Sequence, residues 1–265
     1  MLRSNLENLI RYRGLIASLV ARELKARYRG SVLGFAWSLI NPLLLLIIYS
    51  FVFTTIMPNE TEGVKPYAVF MFCGILPWNW FATSLSDAAG SLIAGGNLIK
   101  KVLFPAEVLP LVSVLANMVH FFLALPILIA FLLVSGRYPD PLDLVWFPIA
   151  VLVQLIFSSA LALMLAALTV HFRDIRDILA NVLMLWFFST PIIYPWFQAN
   201  VQRFRWLFNL NPFTHLAVSY QEILFFNGPL GHWKWLLALG GFSIVLFLAC
   251  YWLFDRLRDS FAEVV

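Results

Sequence analysis

The stretch "LKARYRGSVLGFAWSLINPLLLLIIYSFVFTTIM", residues 24–57, changes within a few positions from a basic segment to a long apolar one. Residues 32–57 contain no Asp, Glu, Lys or Arg. A helix rises about 1.5 Å per residue and the hydrocarbon core of a bilayer is about 30 Å thick, so this run can cross a membrane. The stretch therefore predicts a membrane-spanning helix that follows a charged surface segment.

The composition of the whole chain extends this prediction. Of the 265 residues, 62% are hydrophobic and 12% are charged, whereas about 25% of a soluble domain is charged. No stretch has the composition of a sizeable soluble domain, so any soluble chemistry must come from a partner. The net charge of +4 is interpreted as a topology signal and a contact with lipid headgroups, with no nucleic acid as partner.

The apolar runs predict an all-α integral membrane protein with two parts. Residues 1–31 form a cytoplasmic amphipathic interface helix, because apolar residues recur there at spacings of three and four between basic residues. An ordinary helix docked on a partner is the alternative. Residues 32–265 form a transmembrane domain of six helices. The six predicted spans are 32–57, 67–90, 106–134, 144–170, 177–195 and 233–254.

Lysine and arginine placement predicts the orientation of these spans. Thirteen of the 18 basic residues fall in the segments assigned to one side, and five fall in those assigned to the other. Basic residues accumulate on the cytoplasmic side of membrane proteins. Both termini are therefore predicted to be cytoplasmic.

The segment at about 198–231, before the last span, is harder to assign. Its apolar part, from Phe213 to Phe226, is short for a span and contains His215, Gln221 and Glu222. We expect short re-entrant helices that enter the outer leaflet and return, which protein or water must cover. A true seventh span is the alternative. Glu222 and His215 act either as a gate or as hydrogen-bonded packing groups, and the sequence does not rank these roles.

The sequence offers no catalytic, nucleotide-binding or metal-binding motif. "GGNLIKKVL", residues 95–103, lacks the spacing of a phosphate-binding GxxxxGK[ST] loop. The four histidines are scattered, and Cys73 and Cys250 lie apart in apolar stretches, so neither a metal site nor a disulfide is predicted. For Asp87 and Glu107, which flank the two lysines, ion pairs are favoured over proton relay.

Two polar features invite functional hypotheses. "HFRDIRDIL", residues 171–179, begins with a second cytoplasmic bridge at about 171–177, which is either a solvated loop or a docking surface for a soluble partner. Asn41, Tyr49 and Phe53 fall within about a third of the circumference of the first span, at 100° per residue. Such a set either lines a path for sugars, which stack on aromatic rings, or packs against lipid.

Four stretches carry a resemblance that spans nearly the whole chain in order. They are "LVARELKARYRGSVLGFAWSLINPLLLLIIYSFVF" (19–53), "LPWNWFATSLSDAAGSLIAGGNLIKKVLFPAEVLP" (76–110), "HFRDIRDILANVLMLWFFSTPIIYP" (171–195) and "LNPFTHLAVSYQEILFF" (210–226). In these stretches the chain resembles the membrane (permease) subunit of ABC exporters for O-antigen, capsule and teichoic acid.

This resemblance implies a homodimeric permease in the bacterial inner membrane that binds two copies of a separate ATPase. ATP and Mg²⁺ would be bound by that ATPase, so this chain would need no cofactor and would not be an enzyme. The implied cargo is an undecaprenyl-pyrophosphate-linked polysaccharide such as O-antigen. The coupling segment, at about 91–105, would contact the ATPase through Asn97, Lys100 and Lys101, and the second bridge through Arg173 and Asp174.

The resemblance also implies an aromatic-lined channel between the two copies. Trp186 and Tyr194, in the fifth predicted span, join Asn41, Tyr49 and Phe53 as candidates for its wall. The main alternative is an exporter of the same fold that moves a smaller lipid or a drug. A membrane-embedded transferase would need a better cluster of carboxylates or histidines, and a passive channel would not need the basic cytoplasmic bridges.

Overall fold

The computed structural model of the protein describes residues 12–56, 63–100, 104–226 and 230–264. These residues are predominantly helical, and no strand occurs among them. The all-α prediction is therefore confirmed for this part of the chain. Residues 1–11 of the predicted interface helix lie outside the described residues.

The first described helix, α1 (Arg13–Arg27), packs on the side of the bundle. Its buried residue Leu19 contacts Val108 and Val112. The chain then turns into the first long helix through Gly30 (φ 82°), in a left-handed conformation that residues with a side chain rarely adopt.

Five helical segments of the described residues are long and apolar enough to cross a membrane. The first is Gly34–Ile56, which contains α2 (Trp37–Phe51) between a short 3₁₀ turn and a π-helical turn. The next two are α3 (Tyr67–Ala94) and α5 (Val108–Val134), joined through the short helix α4 (Gly96–Ile99). The last two are Pro141–His171, which contains α6 (Pro141–Leu144) and α7 (Trp146–His171), and Trp233–Arg258, within α12 (Trp233–Val264).

The predicted span at 177–195 is the exception, so the count of six spanning helices is not confirmed. Its helix, α8 (Ile175–Phe188), has 14 residues and is about 21 Å long. Pro191 ends the helical pattern, because proline lacks an N–H group and disfavours helical geometry in the residue before it. The chain continues through turns to Gln198.

The segment 175–193 nevertheless runs along the whole length of α3. Its contacts occur at one end, near the middle and at the other end of that helix. These contacts are Arg176 beside Gly90, the Trp186 ring against the Trp78 ring, and the Ile193 carbonyl, which accepts a hydrogen bond from the Tyr67 hydroxyl.

The region before the last helix folds into α9 (Ala199–Arg203), α10 (Arg205–Leu210) and α11 (Pro212–Leu224). The Phe213 ring, at the start of α11, lies 4.9 Å from the Trp78 ring near the middle of α3. The Phe225 ring, just after α11, lies 5.5 Å from the Phe70 ring near the start of α3. This 13-residue helix is buried along almost its whole length and runs from the middle of the bundle back to one end.

The two ends of the described chain meet at one end of the bundle. Leu19 of α1 packs beside Val108 at the start of α5. Phe261, near the end of α12, belongs to the same buried cluster as Ala106, just before α5. We refer to this end as the inner end, and to the opposite end, where Tyr67 and His232 lie, as the outer end.

Candidate functional site

Three polar side chains from three helices form a closed network near the inner end. Arg27, in the last turn of α1, donates from Nη2 to Oδ2 of Asp87 on α3 (2.7 Å) and from Nη1 to Oδ1 of Asn117 on α5 (3.0 Å). Asn117 donates to the same Asp87 oxygen at 2.8 Å. Asn117 is buried, whereas the side chains of Arg27 and Asp87 are 32% and 39% exposed. This network, called the inner latch, fixes α1 to two long helices.

A second ion pair joins the last helix to the start of α5. Arg258 Nη1 lies 3.8 Å from Oε2 of Glu107, whose side chain is 5% exposed. The prediction that Asp87 and Glu107 form ion pairs is confirmed for both residues. Their partners, Arg27 and Arg258, are distant in sequence and could not be identified from it.

The candidate coupling residues lie at the inner end. Asn97 is exposed on α4, and Lys100, directly after that helix, is also exposed. Arg173 and Asp174 are exposed in the turn between α7 and α8. Lys101 lies outside the described residues.

Two cavities connect the elements that carry these residues. One, of about 580 Å³, is lined by Ile93 at the end of α3 and by Arg173 and Arg176. The other, of about 500 Å³, is lined by Arg22 of α1, by Leu98 of α4 and again by Arg176. The two bridges therefore share one surface, called the inner surface, which also includes α1. Contact of this surface with an ATPase stays a prediction.

Two of the candidate channel residues line cavities beside α2. Asn41 lines a cavity of about 330 Å³ between α2, α3 and α5. Tyr49 lines one of about 430 Å³ between α2, α3 and α8. Phe53 lines neither of these cavities, and its ring packs on the Tyr67 ring at 5.0 Å. The two residues that helical periodicity placed on one side of α2, Asn41 and Tyr49, therefore both face cavities.

The other two candidates make intramolecular contacts. Trp186 donates from Nε1 to Oδ1 of Asn211 (2.7 Å), and its ring meets the Phe81 ring edge-on at 5.1 Å. The Tyr194 hydroxyl donates to the carbonyl of Phe188 at 2.8 Å. These contacts link α8 to the segment before α11, and a role of either residue in the channel wall stays a prediction.

In the outer half of the bundle, His215 of α11 and His232 form a buried pair. His215 Nε2 lies 3.1 Å from the Asn209 carbonyl, which can only accept, so this nitrogen carries the proton. In a neutral ring His215 Nδ1 is then the acceptor for His232 Nε2, at 3.1 Å. The His215 ring also stacks on Trp235 at 4.7 Å.

Carboxylates complete this outer cluster. Glu222 Oε2 accepts a hydrogen bond from the backbone N–H of His232 (3.0 Å), and Asp143 Oδ1 accepts from that of Leu230 (3.1 Å). Both carboxylates thus hold the connection between α11 and α12. Of the two roles left open for Glu222 and His215, these contacts favour hydrogen-bonded packing.

Burial favours the neutral forms of His215, His232 and Glu222 by shifting their pKa values. Burial, with positive charge on His215 and Arg205, lowers the pKa of His232 to about 4. Burial also lowers the pKa of His215. The pKa of Glu222 is raised by burial and by the Asp143 carboxylate, against the opposing effect of the backbone N–H groups of His232 and Gly231.

Sequence reasoning missed Asn79 and Asn117. Asn79 lines both cavities beside α2, and Asn117 completes the inner latch. The available signal was an amide side chain inside an apolar run, where polar groups usually face protein or water. The sequence spacing between these amide residues did not indicate which of them lie on the same surface.

The long apolar helices, with a charged surface at one end, indicate a multi-pass membrane protein. The chain belongs to the ABC-2 type transporter family, whose model matches residues 14–225. It is therefore a permease subunit and not itself an enzyme, because ATP hydrolysis in ABC transporters of this kind belongs to a separate subunit.

Individual relatives are similar over most of the chain. The chain is 43% identical over 258 residues to the O-antigen export system permease protein RfbA of Myxococcus xanthus. The aligned region covers 97% of each chain. It is 35% identical over 253 residues to the protein of the same name from Klebsiella pneumoniae, covering 95% of each. The polysialic acid transport protein KpsM of Escherichia coli is 21% identical over 209 residues, or 78% of this chain and 80% of KpsM.

Proposed function

We propose that this chain is the transmembrane subunit of an ATP-driven ABC exporter of lipid-linked polysaccharide of the O-antigen type, in the bacterial inner membrane. The observation that carries this proposal is the near full-length similarity to O-antigen export permeases. The cargo would be carried on undecaprenyl pyrophosphate, whose charged headgroup must enter from the cytoplasmic side.

The proposed topology has six crossings, with the segment 175–193 as the fifth. The support is that this segment follows α3 from Gly90 to Tyr67, and so passes from the inner to the outer end. An even number of crossings agrees with the meeting of α1 and the end of α12 at the inner end. The excess of basic residues there supports a cytoplasmic location for the inner end and both termini.

In the same topology the segment from α9 to α11 is re-entrant. Phe213 lies about 17 Å along α3 from Tyr67, so the chain reaches the middle of the bundle and then returns to the outer end. The backbone of α11 is covered by α3, α7 and α12, which meets the condition for irregular structure at membrane depth.

Two copies of an ABC ATPase would bind at the inner surface. They would hold ATP and Mg²⁺ and contact Asn97, Lys100 and Lys101 on one bridge, and Arg173 and Asp174 on the other. ATP binding can drive transport only if the closed ATPase pair favours one permease conformation over another. The inner latch and the Arg258–Glu107 pair are suited to pass such a difference from the surface to the long helices.

Two copies of the permease would enclose the path. The first long helical segment, Gly34–Ile56, is mostly exposed on the isolated subunit. Only 6% of an apolar stretch of 18 residues within it is buried. Most of this helix therefore needs an external environment. Lipid suits its leucines, whereas Asn41 and Tyr49 favour a polar path beside a second copy.

Purification from the native membrane with mild detergent, followed by reconstitution into liposomes, tests the function. We expect an ATPase subunit to copurify, and lipid-linked glycan to stimulate its hydrolysis and to move into the vesicle lumen. A subunit that yields no ATPase under conditions that preserve other complexes would contradict the proposal. If a small lipid or a drug stimulates the ATPase and glycan does not, the proposed cargo is wrong and the small molecule takes its place.

Alanine variants then test the path. Tyr49→Ala combined with Phe53→Ala should lower glycan export more than it lowers ATP hydrolysis, because the wall contacts the polymer and not the nucleotide. Equal losses of the two activities would leave these side chains as packing residues. Ile244→Ala with Val245→Ala, at two exposed apolar positions of α12, is the control pair.

A further inference from the structure

The exposed residues of α3 from Asn79 to Asp87 are all polar. Every residue from Tyr67 to Trp78 is buried, and Asn79 is the first exposed residue of the helix. From there to Leu92 the exposed residues are Asn79, Thr83, Ser86 and Asp87. At 100° per residue they fall within an arc of about 100°. We call this set the polar stripe.

The depth of Asn79 disfavours direct contact of its amide with lipid. Asn79 is within two residues of the middle of Tyr67–Ala94, which places it about 20 Å from each end. An amide exposed to hydrocarbon there would lack hydrogen-bond partners. At the middle of the last span, Trp233–Arg258, the exposed residues Ile244 (51%) and Val245 (66%) are apolar. The two surfaces are built for different surroundings.

Two cavities meet at Asn79. It lines the cavity of about 330 Å³ together with Trp37 and Asn41, and the cavity of about 430 Å³ together with Tyr49 and Trp78. Within the described part of the chain, no hydrogen bond to the Asn79 amide occurs, whereas the Thr83 hydroxyl donates to the Asn79 backbone carbonyl. The Asn79 amide is therefore free to bind a ligand between aromatic side chains.

We propose that the polar stripe is a binding track for the glycan, with the Asn79 amide as its contact nearest the middle of the membrane. Amides and hydroxyls can exchange hydrogen bonds with sugar hydroxyls, and aromatic rings can pack on sugar C–H groups. The buried segment Tyr67–Trp78 ends the track at Asn79. This inference rests on the proposed export of polysaccharide.

The first experiment measures access of water to the stripe and does not depend on the cargo. In a Cys73→Ala, Cys250→Ala background, Asn79→Cys and Thr83→Cys are reconstituted with the ATPase and treated with a charged, membrane-impermeant thiol reagent from the ATPase side. Both should react, whereas Val245→Cys, the depth-matched control, should not. Failure of both stripe positions to react would overturn the proposal, since a second copy or lipid would then cover the stripe.

The second experiment tests binding of the glycan. Lipid-linked glycan should slow labelling of Asn79→Cys at least severalfold, whereas the same lipid carrier without sugar should not. Asn79→Leu should raise the glycan concentration for half-maximal ATPase stimulation about fivefold, as expected for a lost hydrogen bond. Thr83→Val should have a smaller effect, because its hydroxyl already donates to the backbone.

The outcomes separate this inference from the proposed function. If glycan stimulates the wild-type ATPase but neither slows labelling nor responds to Asn79→Leu, the stripe is not the track and the export function stands. If glycan fails to stimulate the wild-type complex at all, the export function itself is contradicted. If the sugar-free carrier also slows labelling of Asn79→Cys, the stripe binds the lipid carrier and the proposal of a glycan track is wrong.

Discussion

Breaking the inner latch should weaken the attachment of α1 to the bundle by an amount that the geometry limits. The Arg27–Asp87 contact is short, at 2.7 Å, but both side chains are about one-third exposed. Exposed ion pairs contribute about 0.2–1 kcal/mol. Because buried Asn117 shares the Asp87 oxygen, we expect a coupling energy near the upper end, about 1 kcal/mol.

A double-mutant cycle with Arg27→Gln and Asp87→Asn measures this energy. Both substitutions remove charge and keep the approximate shape of the side chain. Thermal unfolding of the purified subunit in detergent is the assay, and 1 kcal/mol corresponds to about 2–4 °C for a chain of this size. Each single variant should unfold at a lower temperature, and the double variant should lose less than the sum.

Exchange of the two charges provides the control. Arg27→Asp and Asp87→Arg should each destabilise the subunit more than the neutral variants, and their combination should recover part of the loss. Strict additivity in the cycle, together with no recovery in the exchanged variant, would refute the ion pair as a contact between α1 and α3. Salt should weaken the coupling, because the pair is partly exposed.

Three further predictions concern other regions. Gly74→Ala should lower stability by about 1–3 kcal/mol in thermal unfolding, because a Cβ there would meet two side chains at 3.1 and 3.2 Å, whereas Gly241→Ala, with open space, should be neutral. Lys100→Glu with Lys101→Glu should reduce ATPase binding in pull-down while membrane insertion persists; unchanged binding would remove their coupling role. The pKa of His232 is lowered from 6.5 to about 4, so its contribution to stability is present above pH 6.5 and is lost as pH falls toward 4. His232→Gln should reduce this acid-induced loss, measured by thermal unfolding.

Apolar length predicted most of the helices, and it failed at 177–195. The runs at 32–57, 67–90, 106–134, 144–170 and 233–254 each correspond to an observed long helix. At 177–195 the apolar run continues, but Pro191 ends α8 near Phe188. Hydropathy measures transfer from water and not backbone hydrogen bonding, so it cannot distinguish a complete helix from a helix followed by buried turns.

The sequence predicted that certain charged residues would be paired, but it did not identify their partners. The cost of burying a carboxylate predicted that Asp87 and Glu107 would be paired, and Arg27 and Arg258 fulfil that requirement from residues 60 and 151 positions away. Arg27 and Arg258 become the partners because of the way α1 and α12 pack against the other helices. Asn79 was not distinguished from buried amides for the same reason, since its exposure results from the packing of three helices around α3.

The complete burial of Tyr67–Trp78 also has an electrical consequence. This part of α3 is about 18 Å long and leaves no exposed polar side chain along the subunit's own track beyond Asn79. In the proposed orientation, an ion that followed the polar stripe from the cytoplasm would have to leave water beyond Asn79, at a cost of several kcal/mol. The polar stripe by itself would therefore be a poor path for ions, because it stops near the middle of α3.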